Sequence, residues 1–202
     1  MDRYCIQWNS ILSDNFLSTY SVETRDFLAK FNEKYDFNSI RQNLEDLKDL
    51  KVLIVGDGIV DEYHYCESMG KSAKANIIVN RYLENEVFAG GAFAIANHVS
   101  SLCDEVQLVT LLGKENSRED FVSANLNSNV EAKFFFREDG PTIVKKRYVH
   151  NYSNQKLFEI NFINDRFIDE DLECEIVNYF ESVVPRYDLV LVSDFGHGFI
   201  TE

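Results

Sequence analysis

From Lys51 onward the chain alternates continuous apolar runs of strand length with longer stretches of helical spacing, and that alternation admits few folds. Residues 52–55, 106–112 and 189–192 read as strands buried on both faces. Residues 90–102 and 169–184 supply helices between them. The second of these opens on Asp169, Glu170 and Asp171, acids suited to the positive end of a helix dipole, and Pro185 follows its last turn. This order predicts an α/β fold with a parallel sheet and right-handed crossovers. Ligands on such sheets lie beyond the C-terminal ends of the strands, where Asp57, Gly113 and Asp194 fall.

Two further stretches do not suit a buried sheet. Residues 76–88 mix Ile77, Val79, Tyr82, Leu83, Val87 and Phe88 with polar neighbours, and residues 143–162 alternate basic, aromatic and aliphatic side chains. Both read as half-exposed antiparallel strands. A small sheet made of them is expected to lie over the mouth of the main sheet as a lid that excludes water. Before residue 51 the pattern is different. Helices are expected at 22–34 and 39–50, with Ser21 and Asn38 at the cap positions, and residues 1–50 read as a helical extension or linker to a second domain at 51–202.

Composition removes several classes of function. A formal charge of −14 repels nucleic-acid phosphates and anionic membranes, so a phosphate-bearing ligand must be held by local cations or backbone amides. Cys5, Cys66, Cys103 and Cys174 are scattered and form no C-x-x-C pair, and the four histidines show no ligand spacing, so no metal site is expected. No apolar stretch approaches the ~20 residues that span a bilayer, and the expected compartment is the cytoplasm.

Chemistry concentrates at two places. Residues 52–55 end in Gly56-Asp57, with a second carboxylate at Asp61; Gly90-Gly91 opens a small-residue helix, where the missing Cβ atoms let backbone approach a ligand beside free N–H groups. Competing structural readings are that Asp57 and Asp61 cap a turn, that the glycines only admit close helix packing, and that residues 145–147 form a solvated strand face. Asp194-Phe195-Gly196 spells the magnesium motif of protein kinases, but no H-R-D loop accompanies it. Gly56-x-Gly58 lacks the third glycine of a dinucleotide fingerprint, Asp61 standing in that place.

The segments 55–63, 88–92, 108–113, 142–147, 154–155 and 191–198 together resemble, in order and spacing, the PfkB/ribokinase family of sugar kinases, most of all the heptose-7-phosphate kinase half of bifunctional enzymes that make ADP-heptose. The resemblance implies a ribokinase-like three-layer fold with a β lid, and ATP-dependent, magnesium-assisted phosphoryl transfer to a sugar hydroxyl. It implies that Asp61 and its neighbour Asp57 orient the sugar, that Gly90 and Gly91 contact it, and that Lys145 and Arg147 meet a sugar phosphate. Asn161 falls where relatives carry an acidic lid residue, and His197, with Asp194, lines the site where relatives carry a lysine. Ala94 replaces a sugar-contacting asparagine, one helical turn from Asn97. The family's catalytic aspartate, in a Gly-Ala-Gly-Asp motif, has no counterpart among the nine glycines here, and no Walker loop replaces it. This chain is therefore expected to carry the sugar-binding half, to lack catalytic residues and to be inactive alone. Its expected partner is a second copy through the lid, or a missing C-terminal half. The alternatives are a non-catalytic sugar-binding or oligomerisation module and a truncated fragment that needs a partner chain. Residues 10–21 and the two helices resemble the trailing edge of a nucleotidyltransferase domain.

Overall fold

The computed structural model describes residues 18–201. Cys5 and most of the 10–21 stretch lie outside these residues. The chain divides into two compact units at Lys48/Asp49.

In the first unit, helix α1 (Val22–Lys34) starts at Ser21, whose hydroxyl accepts the N–H of Thr24, and carries Glu23 and Lys34 at the dipole ends that favour them. Helix α2 (Phe37–Asp46) begins earlier than the expected cap at Asn38. Asp36 is the cap instead, because its carboxylate accepts both the N–H and the hydroxyl of Ser39. A 3-10 turn, Leu47–Asp49, follows. Neither helix buries a residue.

The second unit holds two four-stranded sheets. Strands β1 (Lys51–Gly56), β2 (Gly58–Lys71), β3 (Ile78–Gly91), β4 (Glu105–Glu115), β5 (Val130–Pro141), β6 (Val144–His150), β7 (Lys156–Phe162) and β8 (Leu189–Ser193) alternate with helices α3 (Ala92–Val99), α4 (Glu119–Asn125) and α5 (Glu170–Val183). The first sheet, β5-β4-β1-β8, is parallel throughout. Its strands bury alternate residues on opposite faces. Leu53, Val55, Val109 and Leu111 pack with Ile176 and Val183 of α5, while α3 packs on β1 and β4 from its own side, with Phe93 and Ala96 fully buried. Full burial of Phe93 stabilises by roughly 2–3 kcal/mol. Cys66 and Cys103 are buried free thiols, and burial pushes both pKa values up.

One expected buried strand is not buried. In β8, Leu189, Val190 and Val192 are 43%, 39% and 63% exposed, because β8 pairs with β1 on one side and with no described strand on the other.

The second sheet, β3-β2-β6-β7, contains both segments expected to form the lid, but it is mixed and adds β2, a strand outside those segments. β2 pairs antiparallel with β3 and parallel with β6, which pairs antiparallel with β7. The parallel pairing has a simple cause. β1 runs into β2 across Asp57 alone, and β5 runs into β6 across Thr142 and Ile143, so the two parallel strands β1 and β5 each deliver a strand to the second sheet in the same direction.

Candidate functional site

The corner between β1 and β2 is built from buried polar groups. Thr110, fully buried in β4, accepts the N–H of Gly58 at 3.0 Å and donates to the carbonyl of Gly56 at 2.7 Å. Asp57 sits between those glycines and is 1% exposed. Its Oδ2 accepts the N–H of Phe195 at 2.8 Å and of His197 at 3.4 Å, and its carbonyl accepts the N–H of Ala92 at 2.9 Å. Burial raises the Asp57 pKa, and the two amides oppose that rise. Asp57 thus ties the ends of β1 and β8 to the start of α3. Its carboxylate faces the loop after β8.

Asp61 faces elsewhere. Successive residues of a strand alternate sides, so Asp61, Tyr63 and Tyr65 of β2 share a sheet face with Glu86 and Phe88 of β3, and these five line an open concavity of about 290 Å³. Gly90, two residues beyond Phe88 on β3, lies beside Asp61. A Cβ there would overlap Asp61 Oδ2, so only glycine lets the carboxylate lie against the β3 backbone. Gly91, at φ +56°, adopts a positive-φ conformation that favours glycine and turns the chain into α3.

The same face continues across β6 and β7. Lys145 pairs in register with Asp61 on one side and Asn161 on the other, and Arg147 pairs with Tyr63 and Glu159. Arg147 Nη1 is bonded to Asp61 Oδ1 and its Nε to Glu159 Oε2 at 2.8 Å, with the guanidinium 5.3 Å from the Tyr63 ring centre. Tyr63 meets Phe88 edge to face. Among the sequence candidates, Asp61, Gly90, Lys145, Arg147 and Asn161 therefore share one face or its rim. Asp57, Asp194 and His197 gather at the loop after β8.

That loop borders a second concavity, about 360 Å³, lined by residues including Asp165, Asp194, Gly196 and Gly198. Asp194 Oδ1 accepts the Gly196 N–H at 2.7 Å, and His197 Nδ1 lies 2.7 Å from Asp165 Oδ1. Asn97, one helical turn beyond Ala94, does not stand in for an asparagine at that position. Its side chain is engaged elsewhere: it donates to the Asn125 carbonyl and accepts from the Asn127 N–H, joining α3 to the end of α4.

Over 158 residues the chain is 31% identical to the bifunctional protein HldE of Haemophilus influenzae (strain PittEE), a match covering 78% of this chain and 32% of that protein. The chain thus spans about a third of the length of the curated relatives it matches. A carbohydrate kinase from Agrobacterium tumefaciens superposes with a TM-score of 0.51 at 19% identity, over 71% of this chain and 45% of that one. Phosphofructokinase-2 from Escherichia coli, in complex with fructose-6-phosphate, also superposes at 0.51, with 12% identity over 71% and 45%. The chain is homologous to HldE and has a ribokinase-like fold. No protein-family model matches the chain.

Three features of the ribokinase-like unit are not apparent from the sequence. Glu159 is hidden because a lone acid in an alternating strand looks like solvent-exposed polarity until its partner strand is known. Thr110 carries a signal, a hydroxyl within a continuous apolar run, which asks for a buried partner. Glu62, on the opposite face of β2, is the third. Nearly buried, it contacts His64 at 2.9 Å, Arg118 at 3.0 Å and Lys146 at 3.1 Å, and the Arg118 contact joins the lid to the segment after β4. Burial alone would raise the Glu62 pKa, but His64, Lys146 and Arg118 outweigh it and hold the carboxyl below its ordinary 4.5.

A folded-state pKa below the unfolded one means that Glu62 stabilises fully above pH 4.5 and loses that contribution as pH falls through its folded value. Asp57, raised by burial, acts in the opposite sense. Urea unfolding measured from pH 3 to 7 should therefore show a flatter acid limb in Glu62→Gln than in the unsubstituted chain. Parallel pH profiles would remove Glu62 from the acid response.

Proposed function

We propose that this chain carries the sugar-binding half of an ATP-dependent carbohydrate kinase, with a sugar phosphate such as a heptose phosphate as its substrate. The observation that carries the reading is the close approach of Asp61, which lines the concavity, to the Gly90 backbone, with Lys145, Arg147 and Asn161 continuing the same face. A carboxylate there accepts sugar hydroxyls, and a glycine beside it admits the ring close to backbone. Holding the acceptor hydroxyl in one orientation is the main demand phosphoryl transfer makes of the substrate half. Homology to HldE supports a heptose phosphate; Asp57 supports the site from behind by fixing the corner that aims β2.

ATP and Mg2+ are the cofactors of this reading, ATP supplying the transferred phosphoryl group and the metal neutralising its charge. Among the described residues no group of three or more His, Cys, Asp or Glu is placed to hold a metal ion by itself, whereas a magnesium carried on nucleotide phosphates needs one or two carboxylates. With no Gly-x-Gly-Asp segment and no Walker loop in the sequence, the catalytic base and the nucleotide site are assigned to polypeptide beyond these 202 residues or to a partner chain. Among the described residues no helix is long and apolar enough to cross a membrane, and we place the protein in the cytoplasm.

The test is direct. Calorimetry of the chain with a panel of sugars and sugar phosphates should show binding, while its kinase activity stays at background and rises only in a longer polypeptide that includes a Gly-x-Gly-Asp segment. Absence of any sugar binding would overturn the reading; binding with no turnover in the longer polypeptide would favour a non-catalytic sugar-binding module.

Association is proposed through the lid. The lid face opposite Asp61 exposes Phe158, Ile160, Phe162 and Tyr82 at 49%, 44%, 45% and 53%, an apolar surface suited to a second copy. The double change Phe158→Glu and Ile160→Glu should convert a sedimenting dimer to monomer. A sedimentation profile unchanged by it would move the interface to the exposed edge at β8, the surface suited to a C-terminal half.

A further inference from the structure

The basic pair on β6 divides into two unlike residues. Arg147 is 15% exposed and spans two carboxylates, Asp61 on β2 and Glu159 on β7, so its charge is already overcompensated. Lys145, two residues earlier on the same strand and face, forms no ion pair among the described residues. Its register neighbours are Asp61 and the neutral amide Asn161.

We propose that Arg147 and Glu159 are positioning residues for Asp61, and that Lys145 with Asn161 receives the anionic group of the substrate. This rests on the reading of this face as the sugar site.

Electrostatics favours the division. Asp61, Arg147 and Glu159 sum to one negative charge, and Glu86 adds another on the β3 side of the concavity, where it accepts the Tyr65 hydroxyl at 2.6 Å. A dianionic phosphate brought to Arg147 would approach three carboxylates. At Lys145, one register row from Glu86 and Glu159, it meets an uncommitted ammonium and an amide donor, with Asp61 the one carboxylate in that row. The clamp also settles which Asp61 oxygen is available. Oδ1 is taken by Arg147, and Oδ2, beside the Gly90 backbone, keeps its lone pairs as the acceptor for sugar hydroxyls. The two ends of a sugar phosphate are thereby separated across the sheet: hydroxyls at β2 and β3, the ester at β6 and β7.

The experiment is calorimetry on the full chain with D-fructose, D-fructose 6-phosphate and inorganic phosphate as probes. The ester should bind about tenfold better than the free sugar, the gain expected of one charge-assisted contact, and Lys145→Met should abolish that preference by lowering ester affinity about tenfold more than fructose affinity. Arg147→Met should weaken sugar and ester in parallel by about tenfold, Arg147→Lys should recover part of it, and Glu159→Gln, isosteric and at a half-exposed position, should act in the same direction as Arg147→Met. A second readout follows the Arg147 Nε–H resonance during phosphate titration. It should stay in place while the Lys145 Nζ signal moves. An Arg147→Met variant that loses only the ester preference, or a phosphate-dependent Arg147 signal with a static Lys145, overturns the proposal. An ester no tighter than the sugar overturns it alone; failure of both sugars to bind overturns it together with the site reading.

Discussion

Asp61→Ala should lower sugar affinity by about a hundredfold or more. The estimate takes two hydrogen bonds from sugar hydroxyls to an ionised carboxylate, each worth about 1.5–3 kcal/mol, of which about 2.7 kcal/mol corresponds to a factor of one hundred. Part of the loss is indirect, since removal of Asp61 leaves the guanidinium of Arg147 to Glu159 alone and shifts its balance in the site. Asp57→Asn separates the two acids. Its side chain is 1% exposed and faces the amides of Phe195 and His197, so the change should leave sugar affinity within a few fold and act on stability. In a longer polypeptide that also binds ATP, Asp61→Ala should leave ATP affinity intact. Calorimetry of both variants against the same sugar decides the matter: equal losses would mean that both acids act through the fold, and an unchanged Asp61→Ala would remove the sugar assignment.

The contrast between these two acids marks how far the sequence can be read. The parallel sheet is legible because β1 and β4 are continuous apolar runs, a pattern few other arrangements bury. The helix α5 is legible because its acids and Pro185 punctuate it. β2 is not. Its alternation of Asp61, Tyr63 and Tyr65 with Glu62 and His64 puts polar groups on both faces, so neither face reads as a core. The lid's mixed pairing is equally hidden, since strand direction depends on where β1 and β5 deliver the chain and not on the composition of β6. Apolar content misleads at β8, whose Leu-Val-Leu-Val run suits burial while the described fold leaves it at an edge. At the site, the resemblance to sugar kinases implies that Asp61 and Gly90 are partners, and the β2–β3 register supplies the reason: Ile59 pairs with Gly90 and Asp61 with Phe88, so the carboxylate reaches diagonally onto the glycine. Arg147 reads as a phosphate ligand from its motif, and what the sequence hides is its second carboxylate partner, Glu159 on β7.

Thr110→Val should destabilise the second unit by about 2–4 kcal/mol, although it removes no volume. The hydroxyl at 110 is fully buried and satisfies two backbone groups of the β1–β2 corner, the Gly58 N–H and the Gly56 carbonyl. Valine leaves both unpaired in a site closed to water, and each orphaned buried group costs about 1–3 kcal/mol. Thr110→Ser isolates the oxygen from the methyl group. Serine keeps both hydrogen bonds and gives up one buried methyl, a loss of about 1 kcal/mol, so urea unfolding should rank the unsubstituted chain above Ser and Ser above Val. The functional consequence follows from geometry. Gly56, Asp57 and Gly58 form the joint from which β2 departs to the lid, and Asp61 lies three residues beyond that joint. A loosened corner displaces Asp61 relative to Gly90 and Lys145, so sugar affinity should fall severalfold in Thr110→Val and hold in Thr110→Ser. A valine variant as stable as the serine variant would show that the Asp57 bonds to Phe195, His197 and Ala92 hold the joint without the hydroxyl.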